Sequence, residues 1–343
     1  MREPPSQLSI VVPTYSEARL RNLDALVDSL RAQKEFIEEA IIVCETEHLA
    51  SMARLRFSPL DWVRITASNL GSATAARNTG ICLAKGDVVA FLDDEVVPTS
   101  HWAWSVLQHF DDPEVIGVTG PSHPLWLCPV PVWFSVEYDW VVGCTRWTGW
   151  KSVREVGYAW GMNMAFRKTV FHRAGLFRVS MGPHGDFGAW WRKPASEEND
   201  FSIRARVATG GKIIYEPQAV VFNRVSRQRC HLDYAFKRAF QNGLSRTYVH
   251  RLSGEYDWNE SNLLRRMISR LLPTVLSGLL SKPILSLRKL ILFLQLSQAY
   301  ALGVIVALSS GRTRAKMKPP PSLENWCSSQ VQEETRSSDM MAG

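Results

Sequence analysis

The sequence predicts an α/β fold in which helices flank a mostly parallel β-sheet, followed by a helical C-terminal segment. Short apolar runs alternate with segments of helical periodicity from residue 8 onward, as in repeated β-α units. Residues 88–92 are uniformly apolar, which is typical of a parallel strand buried on both faces. An uncharged apolar stretch at residues 290–308 indicates a separate helical part near the C-terminus.

The elements follow in order along the chain. Gly71 and Gly86 flank one of the predicted helices, and Gly210-Gly211 stops another. Right-handed crossovers would place the early strands side by side in one sheet. Strands are predicted at residues 8–12, 40–44, 63–66, 88–92, 115–119 and 219–222, and helices at residues 16–33, 72–84, 197–208 and from His231 to Arg251.

Length and composition suit one large or two modest globular domains, since 45% of the 343 residues are hydrophobic and 21% are charged. The six cysteines form no CxxC pair and no zinc spacing, so we expect reduced thiols in a cytosolic setting. The N-terminus runs directly into a strand without an apolar signal region, so no export signal is expected.

The net charge of +7 is concentrated near the C-terminus. Residues 261–323 contain ten Lys and Arg and no Asp or Glu, which leaves the rest of the chain slightly acidic. Basic residues alone are compatible with nucleic acid or anionic lipid. Because Leu, Ile, Val and Phe are interleaved with them here, lipid is favoured over nucleic acid.

The apolar stretch 290–308 is close to the length that spans a bilayer, but Gln295, Ser297 and Gln298 interrupt it. Basic residues on both sides give no orientation. Three alternatives stay open: a crossing helix, an in-plane amphipathic hairpin and an ordinary helical bundle. The polar end from residue 322 is expected to be disordered.

Three carboxylates, Asp93, Asp94 and Glu95, follow the strand at residues 88–92. In open α/β sheets, ligands bind outside the carboxyl ends of the strands. Mg²⁺ or Mn²⁺ would relieve the repulsion between these acids and could share its other coordination sites with a diphosphate. The alternative is a solvated acidic turn that caps the next helix.

Eight of the 13 tryptophans lie between residues 121 and 191. Indole rings combine apolar faces with a hydrogen-bond donor, so they suit the floor of a sugar or lipid site, although core packing is an equally simple use. The candidates for contact with an acceptor substrate in this region are Asp139, Trp140, Trp190 and Trp191.

Three motifs in order resemble a family-2 glycosyltransferase of the GT-A fold, a Rossmann-like arrangement. They are VVPTYSE at residues 11–17, GSATAARNTG at residues 71–80 and FLDDE at residues 91–95, and the resemblance covers about residues 8–250. The segments 138–145 and 161–167 are similar to the archaeal branch of glucosyl-dolichyl-phosphate glucuronosyltransferases.

The resemblance implies a role for several residues in binding a nucleotide such as UDP. The acidic triplet corresponds to the family's DxD metal motif, with Glu95 in place of the usual final Asp and Asp93 against the ribose. The other residues that the resemblance places against the nucleotide are Pro13, Thr14, Glu17, Glu45 and Arg77. A surface salt bridge is the alternative for Arg77.

The segment 196–201 resembles the family's Glu-Asp pair at a helix start. An acceptor hydroxyl must lose its proton as it attacks, and a carboxylate can accept it. By motif position Glu198 is the first choice for this base and Glu197 the second; solvated acids at a helix start are the alternative. A single displacement would invert the anomeric centre.

One departure concerns the metal. Many relatives carry a His after the late strand, whereas this chain has Asn223 and Arg224 there. Asn223 offers an amide oxygen, which is a poorer ligand; His184, in the loop before the base segment, is a candidate substitute, with polar surface as the alternative.

The prediction is therefore an inverting, metal-dependent glycosyltransferase that uses a nucleotide sugar, with glucuronic acid as a possible sugar, and a polyprenyl- or dolichyl-linked acceptor at the cytoplasmic face of the membrane. Alternatives are a soluble glycan acceptor and a catalytically degenerate scaffold. A nicotinamide enzyme is disfavoured because no GxGxxG follows the first strand. The predicted parts are residues 1–255 for transfer, 256–321 for membrane association and 322–343 as a disordered tail.

Overall fold

A computed structural model describes residues 7–57, 59–68, 70–182, 194–254, 269, 273, 283–310 and 319–329. The first half is a series of β-α units, as the alternation of apolar runs and helical periodicity predicts. Their bounds are β1 Leu8–Thr14, α1 Glu17–Arg31, β2 Ile37–Cys44, α2 Glu47–Phe57, β3 Val63–Ala67, α3 Ala73–Leu83 and β4 Val88–Leu92.

The second half continues the sheet and adds a smaller one. Its elements are β5 Val96–Pro98, α4 Trp102–Leu107, β6 Val115–Thr119, β7 Ser122–Trp126, β8 Arg154–Val156, β9 Asn163–Arg167, α5 Lys168–Ala174, α6 Glu197–Thr209, β10 Lys212–Tyr215, β11 Val221–Val225, α7 Leu232–Ser253 and α8 Pro283–Ser309.

The main sheet has eight strands in the order β3-β2-β1-β4-β9-β6-β10-β8. Strands β3, β2, β1 and β4 are parallel, and β10 is parallel to β6. Strand β9 is antiparallel to both of its neighbours, and β8 lies antiparallel at the edge. The predicted mostly parallel α/β sheet is therefore confirmed, with an antiparallel strand at its centre. A second sheet has the order β5-β11-β7.

Apolar side chains cover both faces of the main sheet. Helix α1 buries the stripe that its sequence spacing predicts, against β1 and β2 on one face. On the other face, Phe171, Phe177 and Phe201 pack against β4 and β9. The strand ends that carry polar residues are thus held by a core on each side. The α1 stripe consists of Leu20, Leu23, Leu26, Val27 and Leu30.

Helix α8 lies along α7, and the chain direction is the same in both helices. Leu292 and Leu296 pack with Ala235 and Ala239 near the start of α7, whereas Ala307 packs with Tyr248 further along. Within the part of the chain that the structure describes, one segment, Ser286–Ser309, is long and apolar enough to cross a membrane.

Three sequence predictions need correction. Residues 323–329 form a helix, and Leu323 is buried in the core, so the tail is not disordered from residue 322. Cys82 forms a disulfide with Cys327, so the expectation of reduced thiols is wrong for this pair. The late strand predicted at residues 219–222 is displaced to Val221–Val225.

Candidate active site

The acidic triplet lies where β4 ends, and arginines surround it. Asp93 contacts Arg77, Asp94 contacts Arg19, and Glu95 contacts both Arg19 and Arg229. Each carboxylate thus has a cation within hydrogen-bond distance. These three arginines come from α3, from α1 and from the turn after β11, so three separate segments converge on one strand end.

Asp94 is the buried member of the triplet. Its two oxygens accept hydrogen bonds from Thr14 Oγ1 and Arg19 Nη1, both at 2.6 Å. Burial raises the pKa of Asp94 to about 6, while Arg19 and Thr14 act in the opposite direction. Asp94 therefore ties β4 to β1 and α1, and both of its oxygens are engaged by the protein.

Glu95 receives cations from two sides. Arg19 Nη2 lies 3.0 Å from Glu95 Oε1, and Arg229 donates to Glu95 Oε2. Arg229 is itself enclosed by protein; burial acts against its charge, but Tyr234 and Glu95 raise its pKa. Neither arginine belongs to a motif that is recognisable in the sequence. Arg19 does fall in the first turn of α1, directly after the motif at residues 11–17.

Arg77 connects the triplet with the predicted base segment. Its buried guanidinium donates to Asp93 Oδ1 at 3.1 Å and to Glu197 Oε1 at 2.6 Å. Burial acts against its charge, whereas Glu197 and Asp93 raise its pKa. Arg77 is therefore an internal ion-pair bridge, and the surface salt bridge considered from sequence does not describe it.

Glu197 and Glu198 begin α6, but their surroundings differ. Ser196, which precedes them, has φ 83, a left-handed conformation that L-residues seldom adopt. This turn directs Glu197 into the protein towards Arg77, whereas Glu198 stays partly exposed. A Cβ atom on Gly161 would lie 3.5 Å from Arg77 Nη2 and 3.7 Å from Glu198 Cδ, so these three residues share one small space.

Burial raises the pKa of Glu198 to about 8, and the neighbouring negative charge of Glu197 acts in the same direction. Arg77 and Arg238 act against this shift. A carboxylate with a raised pKa at the edge of a cleft suits proton transfer near neutral pH.

The predicted nucleotide residues lie at the carboxyl ends of β1 and β2. Glu45 N donates to Thr14 O at 2.9 Å. Gly71 has φ +60, and a Cβ atom there would lie 3.4 Å from Glu45 Oε1. Pro13 is buried within β1, whereas Glu17 is exposed and has its Oε1 3.6 Å from His48 Nε2. Thr14, Glu45 and Gly71 therefore lie close together at the ends of these strands, whereas Glu17 is exposed at the start of α1.

The acceptor-site predictions have different outcomes. Asp139 is fully buried, and both of its oxygens are bonded by Arg146. Its contacts give Asp139 a structural role and no access to a substrate. Trp140 is partly buried in the cluster that includes Leu292, and its indole N–H finds no acceptor among the described residues. Trp190, Trp191 and His184 lie outside the described residues.

Within the described ranges, no three His, Cys, Asp or Glu side chains are arranged to hold a metal. Asn223, which stands where relatives carry His, is buried and donates to Val142 O at 2.9 Å, so its amide braces the backbone. Asp93 is the most accessible acid of the triplet, and Glu95 lies beside it. Mg²⁺ at nucleotide sites is commonly held by one or two carboxylates together with substrate phosphates, so Asp93 fits such an ion, whereas both oxygens of Glu95 are paired with arginines.

Comparisons with known proteins find glycosyltransferases among the similar chains. Residues 9–124 match the model of the family described as glycosyl transferase family 2. Over 306 residues the chain is 26% identical to the glucosyl-dolichyl phosphate glucuronosyltransferase of Haloferax volcanii. This alignment covers 88% of this chain and 96% of that protein. It is also 27% identical over 169 residues to the succinoglycan biosynthesis protein ExoM of Rhizobium meliloti, which covers 49% of this chain and 50% of that protein.

A solved structure supports the fold. The mannosyltransferase PcManGT from Pyrobaculum calidifontis, determined in complex with GDP-Man and Mn²⁺, superposes with a TM-score of 0.56 at 15% identity. The match covers 90% of this chain and 89% of that one. The likeness establishes the GT-A architecture that the sequence motifs predict.

Proposed function

We propose that this chain transfers a sugar from a nucleotide-diphosphate donor to a lipid-linked acceptor, with inversion of the anomeric centre. Its residues 9–124 match the model of glycosyl transferase family 2. The relative from Haloferax volcanii supports the lipid-linked acceptor, because its name specifies a glucosyl-dolichyl phosphate substrate and the match covers almost its whole length. That name also makes glucuronic acid the first donor sugar to test.

One observation carries the proposal: Arg77 joins Asp93 of the triplet to Glu197, the neighbour of the proposed base Glu198. The acidic triplet and the proposed base segment therefore lie close together, as a transfer reaction requires. Had the two motifs folded to opposite faces of the sheet, a transferase mechanism would have had no site. Arg77 links the end of β4 with the start of α6, and Asp94 links the end of β4 with the end of β1, which supports a common site.

In this mechanism the donor's nucleotide lies over the ends of β1 and β2, along Thr14 and Glu45, with Asp93 against the ribose. The acceptor hydroxyl approaches from the side of α6. Glu198 accepts its proton as the oxygen attacks the anomeric carbon, and the bond to the diphosphate breaks on the opposite face of the sugar. Glu197 pairs with Arg77 at 2.6 Å and keeps that guanidinium in place.

A divalent cation, Mg²⁺ or Mn²⁺, belongs to this proposal. The Mn²⁺ in the PcManGT complex supports it, and so does the accessible carboxylate of Asp93. When bound, the ion would be held by Asp93 together with phosphates of the donor, and it would stabilise the negative charge of the leaving diphosphate. Glu95 follows two residues later, and both of its oxygens are paired with Arg19 and Arg229.

The reaction is tested by turnover. Purified chain is incubated with a panel of UDP- and GDP-sugars and three acceptors: a short-chain polyprenyl-phosphate monosaccharide, the same monosaccharide without lipid, and polyprenyl phosphate alone. We expect product only with lipid-linked monosaccharide, and loss of turnover with EDTA that Mn²⁺ or Mg²⁺ restores. Equal turnover of the free monosaccharide would show that the acceptor is a soluble glycan. Nucleotide binding without turnover on any acceptor would favour a scaffold.

A further inference from the structure

Helix α8 exposes an apolar face along its whole length. Exposed Leu and Ile residues recur every three or four positions, so they lie on one side of the helix, interrupted by Gln298. The most apolar 18 residues of α8 have a mean hydropathy of 2.0, yet only 22% of them are buried. A helix at a water-facing surface normally presents polar residues there. The face includes Leu287, Ile291, Leu294, Leu302, Ile305 and Leu308.

The opposite face of α8 is fixed to α7 by direct backbone contact. A Cβ atom on Gly303 would lie 2.0 Å from Phe240 O, and one on Gly243 would lie 2.1 Å from Tyr300 O. Arg251 also donates to the carbonyl of Ala307 at 2.9 Å. Helix α8 therefore cannot leave the surface of the protein without breaking this contact.

The contact with α7 argues against a crossing of the bilayer. Helix α7 runs beside α8 and carries five Asp, Lys and Arg residues, including Asp233 and Lys237, whose exposed side chains lie 3.6 Å apart. If α8 spanned the hydrocarbon core, α7 would have to enter it as well, at a cost of about 2.5–3.5 kcal/mol for each such charge near the centre. A helix lying in the membrane plane avoids this cost.

A second apolar element adjoins the first half of α8. In the segment after β7, Leu127, Val130 and Val132 are exposed. The neighbouring rings of Trp133 and Phe134 pack in the same cluster as Leu292 and Leu296 of α8, so the segment 127–132 lies next to the first half of α8. Aromatic rings beside an apolar face are typical of proteins that lie at the membrane interface.

The charge pattern identifies the occupant of this surface. Residues 261–323 include ten basic residues and no acid, and Arg288 is exposed on α8 itself. An apolar face flanked by cations matches an anionic bilayer, which offers both hydrocarbon and negative headgroups. We propose that α8 and residues 127–132 form one in-plane docking surface for anionic membranes, and that α8 does not cross the bilayer.

This inference extends the proposed function, because the docking surface reaches the cleft. Cys230 packs in the cluster that contains Leu292, and the preceding residue, Arg229, pairs with Glu95 of the triplet. A lipid-linked acceptor lying in the docked membrane would present its sugar close to the donor site. The polyprenyl chain would then stay in the bilayer throughout transfer.

The test is flotation of the full chain with vesicles, scored by bound protein. One set of vesicles contains phosphatidylcholine alone, and the other set contains about 30% phosphatidylglycerol as the anionic lipid. Val132→Glu and Leu302→Glu place a charge in the docking surface, at side chains that are 78% and 53% exposed. The matched controls, Val207→Glu and Leu55→Glu, change residues of α6 and α2 that are 71% and 86% exposed.

We expect tighter binding to the anionic vesicles, a loss of about tenfold or more in partitioning for each docking-surface variant, and no loss for the controls. Equal losses for controls and docking-surface variants would overturn the proposal. The proposal would also be contradicted if light scattering without vesicles showed a dimer that Leu302→Glu dissociates, while flotation of this variant stayed unchanged. A second copy of the chain would then cover the apolar face of α8.

Two further measurements separate topology and function. Trypsin added outside sealed vesicles should cut at basic residues on both sides of α8, such as Arg270 and Arg312; protection of one side would mean that the helix crosses the membrane. Val132→Glu and Leu302→Glu should retain turnover of a short-chain, water-soluble acceptor. Absence of that turnover in the unmodified chain would refute the proposed function without affecting the flotation result.

Discussion

At the scale of single residues, the two glutamates at the start of α6 differ because Glu197 is buried and pairs directly with Arg77, at 2.6 Å. Burial raises the pKa of the partly exposed Glu198 to about 8, and the neighbouring Glu197 acts in the same direction. We therefore propose Glu198 as the proton acceptor, with Glu197 holding Arg77 in position.

The first prediction concerns Glu198→Gln. Because the base must be ionised, kcat/KM of the unmodified enzyme should rise about tenfold per pH unit below pH 8 and level off above it. In the variant this rise should disappear, and turnover should fall by roughly 10²–10⁴. Affinity for the nucleoside diphosphate, measured by calorimetry, should be unchanged. A flat pH profile in the unmodified enzyme would count against Glu198 as the base.

The same pKa shift affects stability. The pKa of Glu198 is about 8 in the folded protein and 4.5 for an ordinary glutamate, so its contribution to stability is present below pH 4.5 and is lost as the pH rises through 8. Glu198→Gln removes this dependence. At pH 8.5 we expect the variant to melt at the same temperature as the unmodified chain or at a higher one, although its activity is lost. Such a gain of stability at the expense of activity is common at catalytic sites.

The second prediction concerns Arg77→Lys, which keeps the charge but loses the planar fork. A lysine ammonium cannot donate to Asp93 and Glu197 in the geometry of a guanidinium. A charged hydrogen bond is worth about 1.5–3 kcal/mol, so donor affinity should fall by roughly 10- to 100-fold. The control is Arg21→Lys on the exposed side of α1, which should bind donor normally in calorimetry. Unchanged affinity in Arg77→Lys would remove the bridge from the donor site.

Single residues also show what a sequence can and cannot predict about the site. Arg77, Asp93 and Glu198 stand within recognisable motifs, and the structure brings them together. Arg19 and Arg229 both form a salt bridge with Glu95, although 210 positions separate the two arginines in the sequence. No local pattern distinguishes such arginines from solvated ones, because their role arises only when β4, α1 and the turn after β11 meet.

At the scale of whole elements, the contact between α7 and α8 depends on two glycines that face each other's backbone. Gly243 and Gly303 let the helices approach without an intervening side chain. One face of α8 therefore packs as in an ordinary helical bundle, which is one of the three alternatives that the sequence leaves open. The other face of α8 keeps the apolar character that led to the prediction of membrane association.

The third prediction tests this contact with Gly303→Val. The new side chain would begin 2.0 Å from Phe240 O, which is backbone and cannot move aside, so the helices must separate. Overpacking typically costs about 1–3 kcal/mol, and the lost contacts add to it. We expect a lower melting temperature and faster proteolytic release of the C-terminal part. Ala301→Val, on the exposed side of the same helix, is the control. Equal melting temperatures for the two variants would contradict the close crossing.

Elements differ in how well periodicity predicts them. Strands β4 and β6 are found at the predicted residues, because a buried strand is apolar throughout. Helix α2 was missed; its buried side is formed by Leu49, two alanines and Phe57, which is a weak stripe. The antiparallel direction of β9 could not be predicted either, since pairing direction depends on the path of the preceding segment and not on residues 163–167 themselves.

At the scale of the whole molecule, the C-terminal part returns to the transferase domain. Leu323 and Trp326 pack on the core face that contains Phe171, and Leu176 N donates to Pro321 O at 2.9 Å. The sequence suggested a disordered tail here because residues 322–343 are polar. Burial of Leu323 and the disulfide of Cys327 nevertheless hold this polar segment on the protein. The spacing of residues in the sequence does not reveal the partner of either residue.

The fourth prediction concerns the Cys82–Cys327 disulfide, which joins residues 245 positions apart. A cross-link over so long a loop restricts the unfolded chain, and its removal should cost about 2–4 kcal/mol. Cys82→Ala, Cys327→Ala and the double variant should therefore lose similar stability in urea, because each breaks the same bond. Reductant should lower the unfolding midpoint of the unmodified chain to that of the variants and leave the variants unchanged. Additive losses, or a midpoint insensitive to reductant, would show that the two cysteines stabilise the protein as separate thiols.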